Sequence, residues 1–146
     1  MTEKREPFLM ILDLYKAAVF TKDVDAFVNL YHNDIHIFDM WGTWSTRGLD
    51  SWRGMATEWF SSLEEERVMV GISDAQSMVY EELAFGHAVL TYTAISPEGK
   101  ELRALSNRLT MILKYDGSSW KILHEHTSSP VDHSSLKAIL QYPGNG

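Results

Sequence analysis

"LTMILKYDGSSWKILHEHTSSP", Leu109 to Pro130, reads as two strands joined by a tight turn. Both arms favour extended chain, and "YDGSS" between them has the turn chemistry of a hairpin. The second arm alternates apolar and polar residues, then carries His124 and His126 two positions apart. Successive strand side chains point to opposite faces, so the two imidazoles share one face and Glu125 takes the other. Two histidines near a strand end can bind a metal, line a pocket or cap a sheet rim. The rest of the chain has to decide.

Upstream, "RVMVGISDAQSMVY" (67–80), "LAFGHAVLTYTAIS" (83–96) and "ELRALSNRLTMILKY" (101–115) keep the same period of two, with "SPEGK" as another turn-rich link. Before Arg67 the period is helical. Pro7 opens a helix to Phe20, with Phe8, Ile11, Leu12, Tyr15 and Val19 on one face. Asp23 caps a second, short helix through Val24, Phe27, Val28 and Tyr31, which Asn33-Asp34 ends. "IHIFDM" (35–40) reads as a strand and "WGTWSTRG" (41–48) as a loop. Residues 49–66 are helical again, with Leu49, Trp52, Met55, Ala56, Trp59 and Phe60 on one side; Gly54 weakens that helix. "SSLKAILQY" (134–142) reads as a last short helix. Helices grouped before a meander of strands predict one α+β domain over residues 1–146, its helices packed on one face of a curved antiparallel sheet.

The other face of such a sheet must also be disposed of. On strand 101–115, Leu105, Leu109, Met111 and Leu113 share a side with Arg103 and Asn107, while Ser106, Arg108, Thr110, Ile112 and Lys114 take the other. Both sides are mixed, which predicts a cavity on one face and a partner chain on the other, that is, a homodimer.

Composition narrows the classes. The chain has 146 residues, enough for one core, with 45% hydrophobic and 23% charged residues, a globular balance. A net charge of −7 disfavours nucleic acid and anionic membranes as partners. The absence of cysteine excludes disulfides, Cys-ligated zinc and thiol nucleophiles. Asp13 and Lys16 interrupt the apolar N-terminal run, so no signal peptide is read there and a cytoplasmic location is expected. Phosphate-binding Gly-rich loops and the G-x-S-x-G elbow are not found.

Three stretches carry a family resemblance: "KDVDAFVNLYHNDIHIFD" (22–39), "RGLDSWRGMATEWF" (47–60) and the closing hairpin quoted above. In this order and spacing the chain resembles the SnoaL-like group of the nuclear transport factor 2-like superfamily, which includes polyketide cyclases and ketosteroid isomerases. The resemblance covers roughly Phe8 to Ser129. It implies a cone-shaped α+β fold, three helices of the N-terminal half on the concave sheet face, a deep pocket and dimerisation through the sheet. It implies no single reaction, because the fold hosts enzymes and binding domains alike.

The resemblance also nominates residues. Asp39, at the end of an apolar strand, matches the isomerases' general base, and Phe38, Met40, Trp41 and Trp44 could surround it with apolar groups. Capping of the following loop, or a pair with Arg47, is the plainer reading. Tyr15 matches the oxyanion-hole tyrosine, although a core tyrosine on a helix face is the commoner case. The isomerases' second donor, a protonated acid, corresponds to Met111 here, so that member is missing. His126 can replace it as the acid opposite Asp39, and His124 is a candidate wall or rim residue. Arg108 is a candidate anion contact or surface salt bridge. Trp41, Trp44, Trp59 and Tyr92 are candidate pocket walls; at least one of Trp52 and Trp59 is expected in the core. A metal site would need His124 and His126 plus Asp39, Asp132 or His133, and neither spacing nor resemblance asks for one. The expectation is a cofactor-free, metal-free pocket for a small apolar molecule. It serves an isomerase, cyclase or hydratase/dehydratase, or else a non-catalytic ligand-binding or accessory dimerisation domain.

Overall fold

In the computed structural model, which describes residues 6–143, helix α1 (Pro7–Thr21) starts at Pro7, where a missing N–H costs nothing. Residues 1–5, the start of the stretch read for a signal peptide, and the closing Gly144-Asn145-Gly146 lie outside the described residues. Helix α1 stops at Lys22, whose left-handed backbone returns its N–H to the carbonyls of Ala18 and Val19. The Lys22 ammonium then donates to the carbonyls of Glu64 and Glu66 at 2.6 and 2.9 Å. Helix α2 (Val24–Val28) is capped by Asp23, whose Oδ1 accepts from the Ala26 N–H at 3.0 Å. Strand β1 (Tyr31–Phe38), the short β2 (Thr46–Arg47) and helix α3 (Leu49–Ser62) follow. The meander is β3 (Arg67–Tyr80), β4 (Leu83–Ile95), β5 (Glu101–Tyr115) and β6 (Trp120–Ser128). The β5–β6 turn is closed by Asp116, whose Oδ1 accepts from the N–H groups of Ser118 and Ser119 at 2.9 Å, and by Gly117 at φ 99°.

The six strands form one sheet in the order β2-β1-β6-β5-β4-β3. Every pairing is antiparallel except β1 with β6, which is parallel. The α+β class and the helix-covered sheet agree with the sequence reading. Four local readings change. The strand read as 35–40 begins at Tyr31, so Asn33 and Asp34 lie inside β1, where its register against β6 shifts. Two residues of the "WGTWSTRG" loop pair with β1, Arg47 opposite His36 and Thr46 opposite Ile37. Helix α3 stops at Ser62, four residues early, followed by Glu64 at φ 52°. Residues 134–142 form no helix. Asp132 accepts from the Ser135 and Leu136 N–H groups at 2.8 Å, Leu136 turns left-handed, and Val131 pairs with Ala138. The Leu140 carbonyl then accepts from the Ser106 N–H at 2.7 Å. Beyond Ser128, β6 leaves β5 unpaired, and filling that vacant edge outweighs helix propensity.

The core lies between helices and the inner sheet face. Phe8, Leu12 and Val19 of α1, Phe27 of α2 and Ile35, Ile37, Leu90, Leu109, Met111, Leu113 and Ile122 of the sheet are less than 2% exposed. Helix α1 packs on β4 at Gly86 through Phe8. A Cβ built there would lie 2.3 Å from Cγ of the Phe8 ring. Gly86 has an ordinary backbone, so the constraint is steric alone.

Gly86→Ala is expected to destabilise the fold by about 1–3 kcal/mol through overpacking, and Phe8→Leu in that background should return part of the loss. Urea denaturation of both single variants and the double checks this; strictly additive losses would remove the contact from the account.

Candidate active site

A cavity of about 840 Å³ opens between the inner sheet face and helices α1 to α3. Its walls are largely apolar, with Phe27, Met55, Trp59, Leu63, Val68 and Trp41 among them. The loop after β1 and the C-terminal residues Leu140 and Gln141 also contribute to its lining, and Gln141 is held by its Nε2 donating to the Ala104 carbonyl at 2.9 Å.

Polar groups reach this apolar space from strands β2, β4, β5 and β6, from helices α1 and α3 and from the loop after β1. Strand β6 contributes Glu125 and Thr127. Along β6, Leu113 faces Ile122 but Ile112 faces His124, so Leu123 is an extra residue in this strand. The bulge reverses the alternation. Ile122, Glu125 and Thr127 point inward, opposite Leu113, Met111 and Leu109 respectively, and His124 and His126 point outward. Glu125 is 3% exposed. Tyr31, the first residue of β1, donates its hydroxyl to Glu125 Oε1 at 2.7 Å. Burial pushes the Glu125 carboxyl up to about 7, against the Tyr31 hydrogen bond, and the negative charge of Asp39 adds to the rise. Glu125 can therefore give or take a proton near neutral pH.

Asp39 follows β1 and is half-buried. Its Oδ1 accepts from the Thr127 hydroxyl and from the Met40 N–H, both at 2.9 Å. Two donors on one oxygen fix the carboxylate against the cavity. Thr127 takes the place that the sequence reading gave to Arg47. Tyr15 of α1 and Tyr92 of β4 meet with their hydroxyls 2.8 Å apart. Burial raises both phenols, Tyr15 well above its usual value, so both stay protonated donors. The Asn107 Oδ1 is buried with no hydrogen-bond partner among the described residues. An unpartnered buried acceptor costs about 1–3 kcal/mol. The Trp52 indole N–H is likewise buried with no hydrogen-bond partner among the described residues.

Of the residues nominated from sequence, Asp39, Tyr15, Trp41, Trp59 and Tyr92 line the cavity. His126, His124, Arg108 and Trp44 do not. His126 is exposed on the outer face, its ring 5.4 Å from that of Phe38, so Asp39 and His126 face opposite sides of the sheet. His124 Nδ1–H donates to the His36 carbonyl at 2.6 Å, so this imidazole is bound to backbone of the neighbouring strand. Arg108 donates to Ser128 Oγ at 3.1 Å on the same outer face, and Trp44 is 96% exposed. Among the described residues, no three His, Asp or Glu side chains are grouped to hold a metal ion. Sequence reasoning passed over Glu125, Tyr31, Thr127 and Asn107. One signal was present: Ile122-Leu123, two adjacent apolar residues, break the alternation where the bulge lies.

Glu125 makes stability depend on pH. Its folded value, about 7, exceeds the unfolded value near 4.5, so the native state holds more protons between them. Its contribution is full below pH 4.5 and is lost as pH rises through 7, by about 3 kcal/mol in all. Glu125→Gln should therefore be more stable than the natural protein at pH 8 and level with it near pH 4.5. Urea midpoints across that range check the sign; a variant less stable at pH 8 would contradict the buried-carboxyl account.

A family model described as a SnoaL-like domain matches residues 9–132. Among curated proteins no sequence relative matches the chain. Among solved structures, an NTF2-like protein of unknown function from Pseudomonas putida KT2440 is similar with a TM-score of 0.80 and 18% identity, over 92% of each chain. An uncharacterised protein with a cystatin-like fold from Caulobacter vibrioides gives 0.66 and 16%, over 88% of this chain and 90% of that one. Aln2 from a Streptomyces species gives 0.71 and 9%, over 86% and 93%. At these identities the structural likeness is one of fold. No helix among the described residues is long and apolar enough to cross a membrane. With its model matched over residues 9–132, on a fold these structures share, the chain belongs to the SnoaL-like domain family.

Proposed function

We propose that the cavity holds a small, largely apolar carbonyl-type molecule and moves a proton on it without a cofactor, as an isomerase, cyclase or hydratase/dehydratase does. The observation that carries this reading is the meeting of Asp39, the Glu125 carboxyl poised at about 7 and the Tyr15–Tyr92 hydroxyl pair in one apolar space. Asp39 takes a proton from the carbon next to the carbonyl. The electron pair moves onto the carbonyl oxygen, where Glu125 in its protonated form and Tyr15 donate hydrogen bonds to the developing enolate. Asp39 returns the proton to a different carbon. Glu125 stands directly across the ladder from Met111, the position where an acid was missing by family comparison. The acid is thus supplied from the neighbouring strand. In the alternative reading, non-catalytic binding, the same carboxyls only orient a polar group of the ligand.

Proton exchange at the carbon next to the carbonyl of 2-tetralone in deuterated water, followed by NMR, separates the two. Asp39→Asn should slow exchange by a factor of about 10²–10⁴ with little change in affinity. Because Glu125 must be protonated, kcat/KM should fall about tenfold per pH unit above 7, and Glu125→Gln should lose that limb. Absence of exchange above the rate of free carboxylate, with 2-tetralone bound, would leave the binding reading.

The protein so read is a cytoplasmic homodimer joined through the outer sheet face. Two ladder rows cross that face, Met78–Phe85–Ile112–His124–His36 and Gln76–His87–Thr110–His126–Phe38. Met78, Phe85 and Ile112 are 59%, 46% and 37% exposed, an apolar stripe on three adjacent strands. Neither row contains a carboxylate, so two copies of a chain with net charge −7 can meet there without opposing acids. Phe85→Glu should turn a dimer into a folded monomer by sedimentation velocity; an unchanged sedimentation coefficient would move the interface elsewhere.

A further inference from the structure

Four of the six histidines, His36, His87, His124 and His126, fall in the two ladder rows of the outer sheet face, away from the cavity. Three of them surround one phenyl ring. The Phe38 ring centroid lies 4.8 Å from that of His36, 5.0 Å from His124 and 5.4 Å from His126. The imidazoles also neighbour each other, with His124 6.1 Å from His36 and 6.4 Å from His126. His36 and His124 are half-buried and His126 is exposed.

The charges around this array have one sign. Arg47 of β2 stands opposite His36. The ladder row on one side holds Lys114 and Lys121, and the row on the other holds Arg108, which donates to Ser128. None of these four rows contains a carboxylate. On β1 itself Asp34 precedes His36 by two residues and is exposed. After β6 the next acid is Asp132, whose carboxylate accepts from the Ser135 N–H at 2.8 Å. Desolvation, then the charges of Arg47 and His124, holds the His36 imidazole below its usual value.

We propose that this face is a pH-sensitive interface: two copies join through it while His36, His124 and His126 are neutral, and part when acid protonates them. The proposal rests on reading the outer face as the homodimer interface and adds the regulation of that interface. The symmetry of a dimer makes the argument. In a two-fold interface the partner presents the same face, so it brings more imidazoles and arginines and no acid from these rows. Neutral imidazoles can be covered there. Imidazolium ions would be covered without a counter-charge, which is costly, whereas in the monomer water solvates them. An imidazole changes charge within the range from about pH 5 to 8, so the switch lies in a physiological window. The dimer then holds fewer protons than two monomers, and its affinity falls as pH falls. Dissociation is separable from unfolding, because the buried Glu125 carboxyl favours the native state more as pH falls.

Sedimentation equilibrium of the full chain over a concentration series, at about pH 7.5 and about pH 5.5, tests it. The dimer dissociation constant should rise at least about tenfold at the lower pH, and the double variant His36→Gln/His126→Gln should reduce that rise to less than about threefold. Equal dimer affinity at the two pH values overturns the switch and leaves the interface reading intact. A monomer at both values overturns the interface reading itself. A double variant that keeps the full pH dependence overturns the assignment to these imidazoles. The comparison of pH values uses the unaltered protein, so it stands even if the double variant does not fold.

Discussion

The extra residue in β6 decides what the cavity can do. A regular strand with Ile122 in the core would turn His124 and His126 inward and put Glu125 in solvent. With Leu123 inserted, Ile122 keeps its place opposite Leu113, and Glu125 and Thr127 face the cavity opposite Met111 and Leu109. The remaining polar contacts follow from that placement. Glu125 meets the Tyr31 hydroxyl, Thr127 holds Asp39, and the imidazoles are left to the outer face. Bulges are common where a sheet must re-aim a side chain beside a site. Here one residue of insertion exchanges a basic interior for an acidic one.

An acidic interior is expensive, and the way it is tolerated is informative. The partner of Glu125 is a neutral phenol rather than a cation, and the nearby charge, Asp39, has its own sign. An ion pair would have held the carboxyl ionised. Burial with a single hydroxyl donor leaves the neutral form favourable and the pKa near 7. The surrounding core is closely buried: among the described residues, eleven large side chains are less than 2% exposed. Asp39 is treated differently. It is half-buried, takes two donors on one oxygen and sits at a strand end near the cavity mouth. Two carboxyls in one cavity with unlike surroundings are the arrangement in which one gives a proton and the other takes it.

Sequence patterning carried the fold because its signals are local and repeated. The α1 stripe Phe8, Ile11, Leu12, Tyr15 and Val19 is buried as the helical period requires, and the bounds of β3 and β5 match their period-two runs. Asp39 and Tyr15 were nominated through position in the family pattern and Tyr92 as an aromatic wall, and all three line the cavity. The others were not, for one reason each. Glu125 was hidden by the bulge, which the sequence marks only by the break in alternation at Ile122-Leu123. Asn107 was recognised as sharing a face with Leu105 and Leu109, but an amide in a strand has no pattern that says its oxygen will be left unpaired. The extended path of residues 134–142 depends on a β5 edge vacated by β6, a contact distant in sequence that outranks local propensity.

Two contacts of α1 with β4 bear on the cavity. At Phe8 the helix rests on the bare backbone of Gly86, with no room for even a methyl group. Seven residues later, about 10 Å along the helix axis, Tyr15 meets the sheet with its hydroxyl on that of Tyr92. Glycine backbone at one contact and a pair of phenols at the other are very different spacers. Beside the phenol pair the cavity is also lined by Glu125, Asn107 and Asp39. The glycine seats Phe8 on the sheet at one end of the helix, and the tyrosine pair forms part of the cavity wall at the other.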